Sequence, residues 1–280
     1  MNMFLAVLSQ ALVFTPVSFG MYISAKILKI TDLAIDGSFL LGAAAFTLCS
    51  LNQLNPFVGI ACALIAGAAV GLVSSAIQYK NRVQPIIAGI LAVFFTHGAF
   101  FLCMKGPNVG LHGGSSFAQF SGISPIFLIL ATVMTLGFCA NHALTSSTGL
   151  GLRTFGSNPQ LLVQLGKKSE TYRQVGLAIS NACAGIAGAL TAQQNGYADV
   201  SMGFGVALIG IATILIGQHF ASQIEIPRCY EFAAHLVFCF TGTLVYFAFI
   251  TILLVSGINP LYLKSIFALA LSLGLHATST

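Results

Sequence analysis

Long apolar segments alternate with short polar ones along the whole chain. Seven stretches contain no Asp, Glu, Lys or Arg, and they cover residues 1–25, 37–79, 83–104, 106–152, 174–198, 200–224 and 232–263. In a helix, about 20 apolar residues cross the roughly 30 Å hydrocarbon core of a bilayer. The stretches are apolar on every face and lack the alternation of a membrane barrel, so the pattern predicts transmembrane helices.

Clusters of Gly, Pro, Asn and Ser divide these stretches into nine predicted spans. They lie near residues 3–24, 37–52, 56–79, 84–104, 123–143, 175–195, 203–221, 232–255 and 260–277. Composition agrees, because only 6% of the residues are charged and the mean hydropathy is +0.93, whereas about a quarter are charged in soluble domains. The sequence therefore predicts an all-α, polytopic membrane protein whose residues 1–280 form one transmembrane domain.

The basic residues lie unevenly on the two sides that nine spans define. One side carries Lys105 and Lys264, and the other carries Lys26, Lys29, Lys80, Arg82, Arg153, Lys167, Lys168, Arg173 and Arg228. The positive-inside rule places the second group in the cytoplasm, with the N-terminus outside and the C-terminus inside. The net charge of +5 then follows from the topology, and no nucleic-acid partner is expected.

The longest cytoplasmic segment is predicted at residues 145–174. Within it, Ser157 or Asn158 is suited to cap a helix that begins at Pro159, and Gly166 is suited to end it. The apolar face of this short helix is made of leucines, Leu161, Leu162 and Leu165. Two interpretations remain open: the helix docks on a cytoplasmic partner, or it lies on the membrane with its following lysines near anionic headgroups.

Polar residues inside or beside the spans are candidates for a solute path, because lipid disfavours them. Asp32, Asp36 and Asp199 are the acidic ones. Asp36 is suited either to line a path or to cap its own helix, and Asp199 either lines a path or belongs to an external turn. The predicted path residues are Asp36, Ser38, Asn181, Gln193 and Asp199.

Known enzyme motifs are missing from the sequence. It has no HExxH, no GxxxxGK[ST] and no CxxC, so zinc hydrolysis, nucleotide binding by this chain and a metal site are not expected. Small residues instead favour close helix packing: Gly67 and Gly71 form GxxxG, and Gly185 and Gly188 lie on an alanine-rich face. The segments 56–104 and 232–277 share a span–break–span layout in opposite orientation, which is typical of inverted repeats in transporters.

Four segments resemble a known family, the permease subunits of ATP-binding-cassette importers of the branched-chain amino acid and ribose type. They are Asp32-Leu33-Ala34-Ile35-Asp36-Gly37-Ser38, Lys80-Asn81-Arg82-Val83-Gln84, Gly149-Leu150-Gly151-Leu152-Arg153 with Gly156 and Asn158-Pro159, and the run from Ser180-Asn181 to Gln193. Ala198-Asp199, Met202-Gly203 and Ile209-Gly210-Ile211-Ala212 are most similar to the branch associated with tryptophan or tyrosine uptake.

The resemblance implies a permease that takes up a small solute, most simply an aromatic or branched-chain amino acid, across a bacterial cytoplasmic membrane. It implies a second permease copy, in a homodimer, and an external substrate-binding protein. ATP is expected to bind cytoplasmic ATPase subunits, so this chain is expected to need no cofactor and to be no enzyme. The implied coupling residues are Arg153, Gly156, Ser157, Asn158, Pro159, Leu161, Leu162, Leu165 and Gly166. An ion-coupled secondary transporter is the alternative.

The predicted topology can be tested with single cysteines on a Cys-less background. Asn2→Cys should react with an impermeant maleimide from outside, and Ser279→Cys should react only after permeabilisation, because nine spans separate the two ends. Labelling of both from the same side would mean that the number of spans is even.

Overall fold

The structure is a computed structural model that describes residues 3–111, 125–223 and 231–257. Ten α-helices and two short strands make up these parts. They are α1 (Met3–Met21, extended by a π-helical turn, Tyr22–Ile27), α2 (Ala34–Leu51), α3 (Pro56–Ile77, followed by a 3-10 turn, Tyr79–Asn81), α4 (Pro85–Met104), β1 (Asn108–Gly110), α5 (Pro125–Thr145), α6 (Ser147–Ser157), α7 (Pro159–Gln164), α8 (Ser169–Asn195), β2 (Tyr197–Asp199), α9 (Val206–Ala221) and α10 (Glu231–Val255).

Six of the described helices are long and apolar enough to cross a membrane, or seven if the bent pair α5–α6 forms one span. Helix α9 has 16 residues, so it is about 24 Å long and shorter than the hydrocarbon core. The predicted ninth span, 260–277, lies outside the described residues, as does part of the predicted repeat. A helical polytopic fold is therefore confirmed, while the count of nine and the inverted repeat stay predictions.

Helix α8 runs through the middle of the bundle and packs on α1, α2 and α3. In the 18-residue apolar stretch of α8, 78% of the residues are buried, whereas in that of α4 only 28% are buried. The outward side of α4 carries large apolar side chains, among them Phe94, Phe95 and Leu102. Helix α8 is thus the core of the fold, and α4 lies at its periphery.

Glycines bring the backbones of the central helices into contact. A Cβ atom on Gly185 would meet the carbonyl oxygen of Ala63, and one on Gly188 would meet that of Phe39. On α3, the GxxxG pair approaches α8 in the same way, since Gly67 faces the carbonyl of Asn181. The close packing predicted from these glycines is confirmed.

The segment 145–174 contains more helix than its sequence predicted. It contains helix α6, which turns by 71° from the preceding helix α5, in addition to the predicted short helix, α7. The sequence did not predict α6, because it contains several glycines and glycine disfavours helices. The structure uses them for close approach: Gly149 contacts the carbonyl of Leu144, Gly151 the ring of Tyr172, and Gly156 the carbonyl of Ile27.

Two strands that the sequence did not predict pair far from this segment. Strands β1 and β2 are antiparallel, and Asn108 lies opposite Asp199. Asp199 accepts hydrogen bonds from the backbone N–H (2.7 Å) and the hydroxyl of Ser201. Asp199 therefore belongs to a turn at the end of β2, which is one of the two interpretations that the sequence left open.

We expect Gly188→Ala to destabilise the bundle. The new methyl group would press on the backbone of Phe39, which cannot rotate away, and overpacking of this kind costs about 1–3 kcal/mol. Gly98→Ala in α4 is the matched control, because nothing lies within 4 Å of its Cβ position and alanine is the better helix former. Thermal unfolding of both variants in detergent measures the difference, and equal melting temperatures would refute the packing argument.

Candidate functional site

The carboxylate of Asp32 is the centre of a buried polar cluster. It lies between the π-helical turn and α2, and its side chain is fully buried. It accepts hydrogen bonds from the N–H of Ala34 (3.0 Å), the hydroxyl of Ser74 (3.1 Å) and the Nδ2 of Asn181 (2.7 Å). Burial raises the pKa of Asp32, and the three hydrogen bonds oppose that rise.

Asn181 connects Asp32 to α2. Its Nδ2 also donates to the carbonyl of Leu177 (2.9 Å), and its Oδ1 accepts the hydroxyl of Ser38 (2.6 Å). Both Asn181 and Ser38 are fully buried. Two predicted path residues are therefore brought together, and Asp32, which the sequence marked only as an acidic residue beside a span, is their common partner.

The cluster continues towards the basic end of the bundle, which is the end that carries Lys26, Lys29, Lys80, Arg82 and Arg153. Gln78 donates from Nε2 to the hydroxyl oxygen of Ser74 (3.1 Å), and its backbone carbonyl accepts a hydrogen bond from Arg173 (2.6 Å). Arg173 also pairs with Glu170 (3.3 Å), and its guanidinium lies 5.5 Å from the ring centre of Phe155 in α6. A chain of polar contacts thus joins the interior of the bundle to the segment 145–174.

Asp36 binds the beginning of a different helix from its own. Its carboxylate accepts hydrogen bonds from the N–H groups of Gly205 (3.2 Å) and Ala207 (2.6 Å). It therefore caps α9, where a negative charge also suits the helix dipole. Its own helix begins two residues earlier, at Ala34, so the sequence-based alternative that Asp36 caps α2 is wrong.

Gln193 and Asp199 lie apart from this cluster. Gln193 is 12 residues beyond Asn181 on α8, which corresponds to about 18 Å along a helix. Asp199 belongs to the turn after β2. The five predicted path residues are therefore not one contiguous cluster, and their role in a path stays a prediction.

Helix α7 has the boundaries that its sequence predicted. Asn158 is the cap, since its Oδ1 accepts the N–H of Gln160 (3.1 Å), and Pro159 is the first helical residue. Gly166 has a positive φ of 71° and its N–H donates to the carbonyl of Val163 (3.0 Å). The other cap candidate, Ser157, donates to the carbonyl of Thr154 (3.3 Å) instead.

The three leucines of this region have different environments. Leu162 is 2% exposed and belongs to the main apolar core, while Leu161 and Leu165 are 42% and 63% exposed. Gly156 and Leu162 therefore fix α6 and α7 to the bundle. Leu161 and Leu165 are left on the outside as an apolar pair available for a partner.

Arg153 lies on α6, close to the beginning of α10. Its guanidinium stacks 4.5 Å from the ring centre of Phe232 in α10. The sequence placed Arg153 in the coupling region but gave no sign of the aromatic contact, because its partner lies 79 positions away.

These features define a polytopic helical membrane protein, with polar groups inside the bundle and a capped, partly apolar helix at its basic end. The chain belongs to the family described as branched-chain amino acid transport system / permease component, which matches residues 3–276. The resemblance seen in the sequence motifs is thereby confirmed.

Three relatives illustrate the range of the family. An uncharacterized protein of Rickettsia prowazekii is 40% identical over 99% of this chain and 98% of its own length. A tyrosine transport system permease protein of Clostridioides difficile is 33% identical, covering 78% of this chain and 73% of the relative. A ribose import permease protein of Escherichia coli K12 is 25% identical, covering 66% and 60%. No solved structure matches the chain.

Asn181→Leu should destabilise the protein by about 2–4 kcal/mol, because it leaves a buried carboxylate with one donor fewer and the hydroxyl of Ser38 without its acceptor. Asn181 lowers the pKa that burial raises, so its loss should raise the pKa of Asp32 further. The part of the cost that comes from Asp32 should therefore disappear at low pH, where the carboxyl is protonated in both proteins, and should grow as the pH rises through the folded pKa. The part that comes from Ser38 should not depend on pH.

Thermal unfolding across a pH series measures this cost. Asn195→Leu, the same substitution at an exposed position of the same helix, is the control and should stay within about 0.5 kcal/mol of the wild type. In an Asp32→Asn background the pH dependence of the Asn181→Leu cost should disappear. A cost that is independent of pH in the wild-type background would contradict the assignment of Asp32 as the partner.

Proposed function

We propose that this chain forms the translocation path of an ATP-driven importer for a small solute, an aromatic or branched-chain amino acid. Membership of a transport-system permease family supports the transport role. The similarity to a tyrosine transport system permease protein supports an amino acid over a sugar, because the ribose permease is less similar and matches less of the chain.

In this proposal a separate cytoplasmic ATPase subunit binds and hydrolyses ATP and docks on α6 and α7. The observation that carries the proposal is the exposed pair Leu161 and Leu165 on a helix whose third leucine is buried in the bundle. A helix of six residues is not stable alone in water. Contacts with the bundle on one side and with the ATPase on the other would therefore stabilise it. The coupling residues would be Arg153, Gly156, Ser157, Asn158, Pro159, Leu161, Leu162, Leu165 and Gly166.

The solute path would be lined from α2 and α8 by Asp36, Ser38, Asn181 and Gln193, with Asp199 at the end of β2 as its fifth polar residue. The basic end of the bundle would face the bacterial cytoplasm, with the N-terminus outside and the C-terminus inside. A second copy of the permease would complete the path, and a substrate-binding protein would deliver the solute from outside. Movement of the ATPase pair would rock the two permeases between outward-open and inward-open states.

Uptake by proteoliposomes that contain the permease, its ATPase subunit and its binding protein tests the proposal. We expect tyrosine or leucine to accumulate only with ATP, and ribose not to accumulate. Leu161→Glu with Leu165→Glu should abolish uptake and co-purification of the ATPase, because buried unpaired charge costs several kcal/mol.

The matched control is Gln160→Glu with Gln164→Glu, which adds two charges at the same spacing on the same exposed helix. It should keep most of the activity. Uptake that needs an ion gradient and no ATP would support the ion-coupled alternative, which the buried carboxylate of Asp32 would suit. Full uptake and co-purification with the double leucine variant would mean that α7 only lies on lipid.

A further inference from the structure

A cavity of about 550 Å³ opens at the basic end of the bundle, away from the Asp32 cluster. Four elements enclose it: the π-helical turn, α6, the end of α9 and the first turns of α10. Helices that cross a bilayer end near its interface. The cavity is therefore placed where lipid headgroups meet the cytoplasm in the proposed topology.

Three cationic side chains line the cavity, those of Lys26, Lys29 and Arg153, and its lining as described contains no carboxylate. Like charges that converge in a crevice repel one another, and low-dielectric walls concentrate their field. An anion in the cavity would remove this repulsion. The charge pattern therefore selects a negatively charged ligand.

Two buried donors in the cavity have unused hydrogen-bonding capacity. The Nε of Arg153 and the Nε2 of Gln218 are buried and have no hydrogen-bond partner among the described residues. Buried donors are normally paired, so an unpaired one needs an explanation. The ring of Phe232, whose centre is 4.5 Å from the Cζ of Arg153, supplies a cation–π contact and no conventional hydrogen-bond acceptor for the guanidinium.

This donor set suits phosphate better than a single carboxylate. A guanidinium fork binds two phosphate oxygens side by side, and lysines add charge without fixed geometry. The remaining wall is mixed: Tyr22, Ile27, Ala221 and Phe232 give it an apolar and aromatic part, and Ser157, Ser222 and His235 a polar one. The apolar part suits an anion that is attached to an apolar group.

We propose that this cavity binds a phosphate-bearing anion, with Lys26, Lys29, Arg153 and Gln218 as its ligands. The phosphate comes either from the headgroup of an anionic phospholipid or from a soluble phosphate. The site is separate from the predicted path residues. It shares Arg153 with the proposed coupling region, so an occupied site would brace α6 against α10.

Binding to the full chain in a neutral detergent tests the proposal. The probes are short-chain phosphatidylglycerol, the matched phosphatidylcholine, and inorganic phosphate, with native mass spectrometry for the lipids and equilibrium dialysis for the ion. Phosphatidylglycerol binding in preference to phosphatidylcholine assigns the source to lipid, and saturable phosphate binding assigns it to a soluble anion. Either result supports the site if the variants below weaken it.

Lys26→Gln with Lys29→Gln should weaken binding about thirtyfold, since two lysines near an anionic headgroup together contribute about 2 kcal/mol. Lys167→Gln with Lys168→Gln removes the same charge outside the cavity, from residues that are exposed, as Lys26 and Lys29 also are, so the comparison varies position and not exposure. It should leave affinity within about twofold, as expected of screened surface charge.

Gln218→Leu separates a defined site from diffuse attraction because it changes no charge. It should weaken binding several-fold, whereas Gln223→Leu, on the exposed turn after α9, should not. This pair decides the question if the double lysine variant fails to fold. Equal affinity of the wild type, the double lysine variant and Gln218→Leu would overturn the proposal, as would equal binding of the two lipids together with no phosphate binding.

Discussion

The close approach of α8 to its neighbours is the constraint on which the rest of the structure depends. Between helices in lipid, association relies on packing and hydrogen bonds, since lipid tails are as apolar as the side chains. Glycines at positions such as 185 and 188 let backbone touch backbone. That proximity brings Asn181 on α8 within hydrogen-bond distance of both Ser38 and Asp32. With bulkier residues at the glycine positions, the buried carboxylate would lose its strongest donor.

The two aspartates near the start of α2 show how one short segment organises three helices. Asp32 binds α3 through Ser74 and α8 through Asn181, while Asp36 binds the beginning of α9. An acceptor with two oxygens can serve several donors at once, whereas an apolar residue can only fill space. The segment after the π-helical turn is therefore a junction, because its two acidic residues join α3, α8 and α9.

Local sequence signals predicted the local features well. Apolar run length gave the helices, and the Asn158-Pro159 start and the Gly166 stop were read from capping chemistry that acts over a few residues. Long-range features were not predictable in this way. The Asp36 contact with Gly205 joins residues 169 positions apart, and β1 and β2 pair residues that are about 90 positions apart, such as Val109 and Ala198. Helix α6 was missed because its glycines lower helix propensity locally, and only the finished packing explains them.

The two arginines near α6 are held differently, and this difference links the interior of the bundle to its basic end. Arg173 has an acidic neighbour, Glu170, and continues the polar chain from Asp32. Arg153 has an aromatic neighbour and faces a cavity lined by two lysines. Because Gly156 contacts Ile27 and Leu162 is buried in the core, a force on the exposed leucines of α7 would reach the π-helical turn directly. That turn lies five residues before Asp32, so a push on α7 and the occupancy of the cavity would act on the same junction.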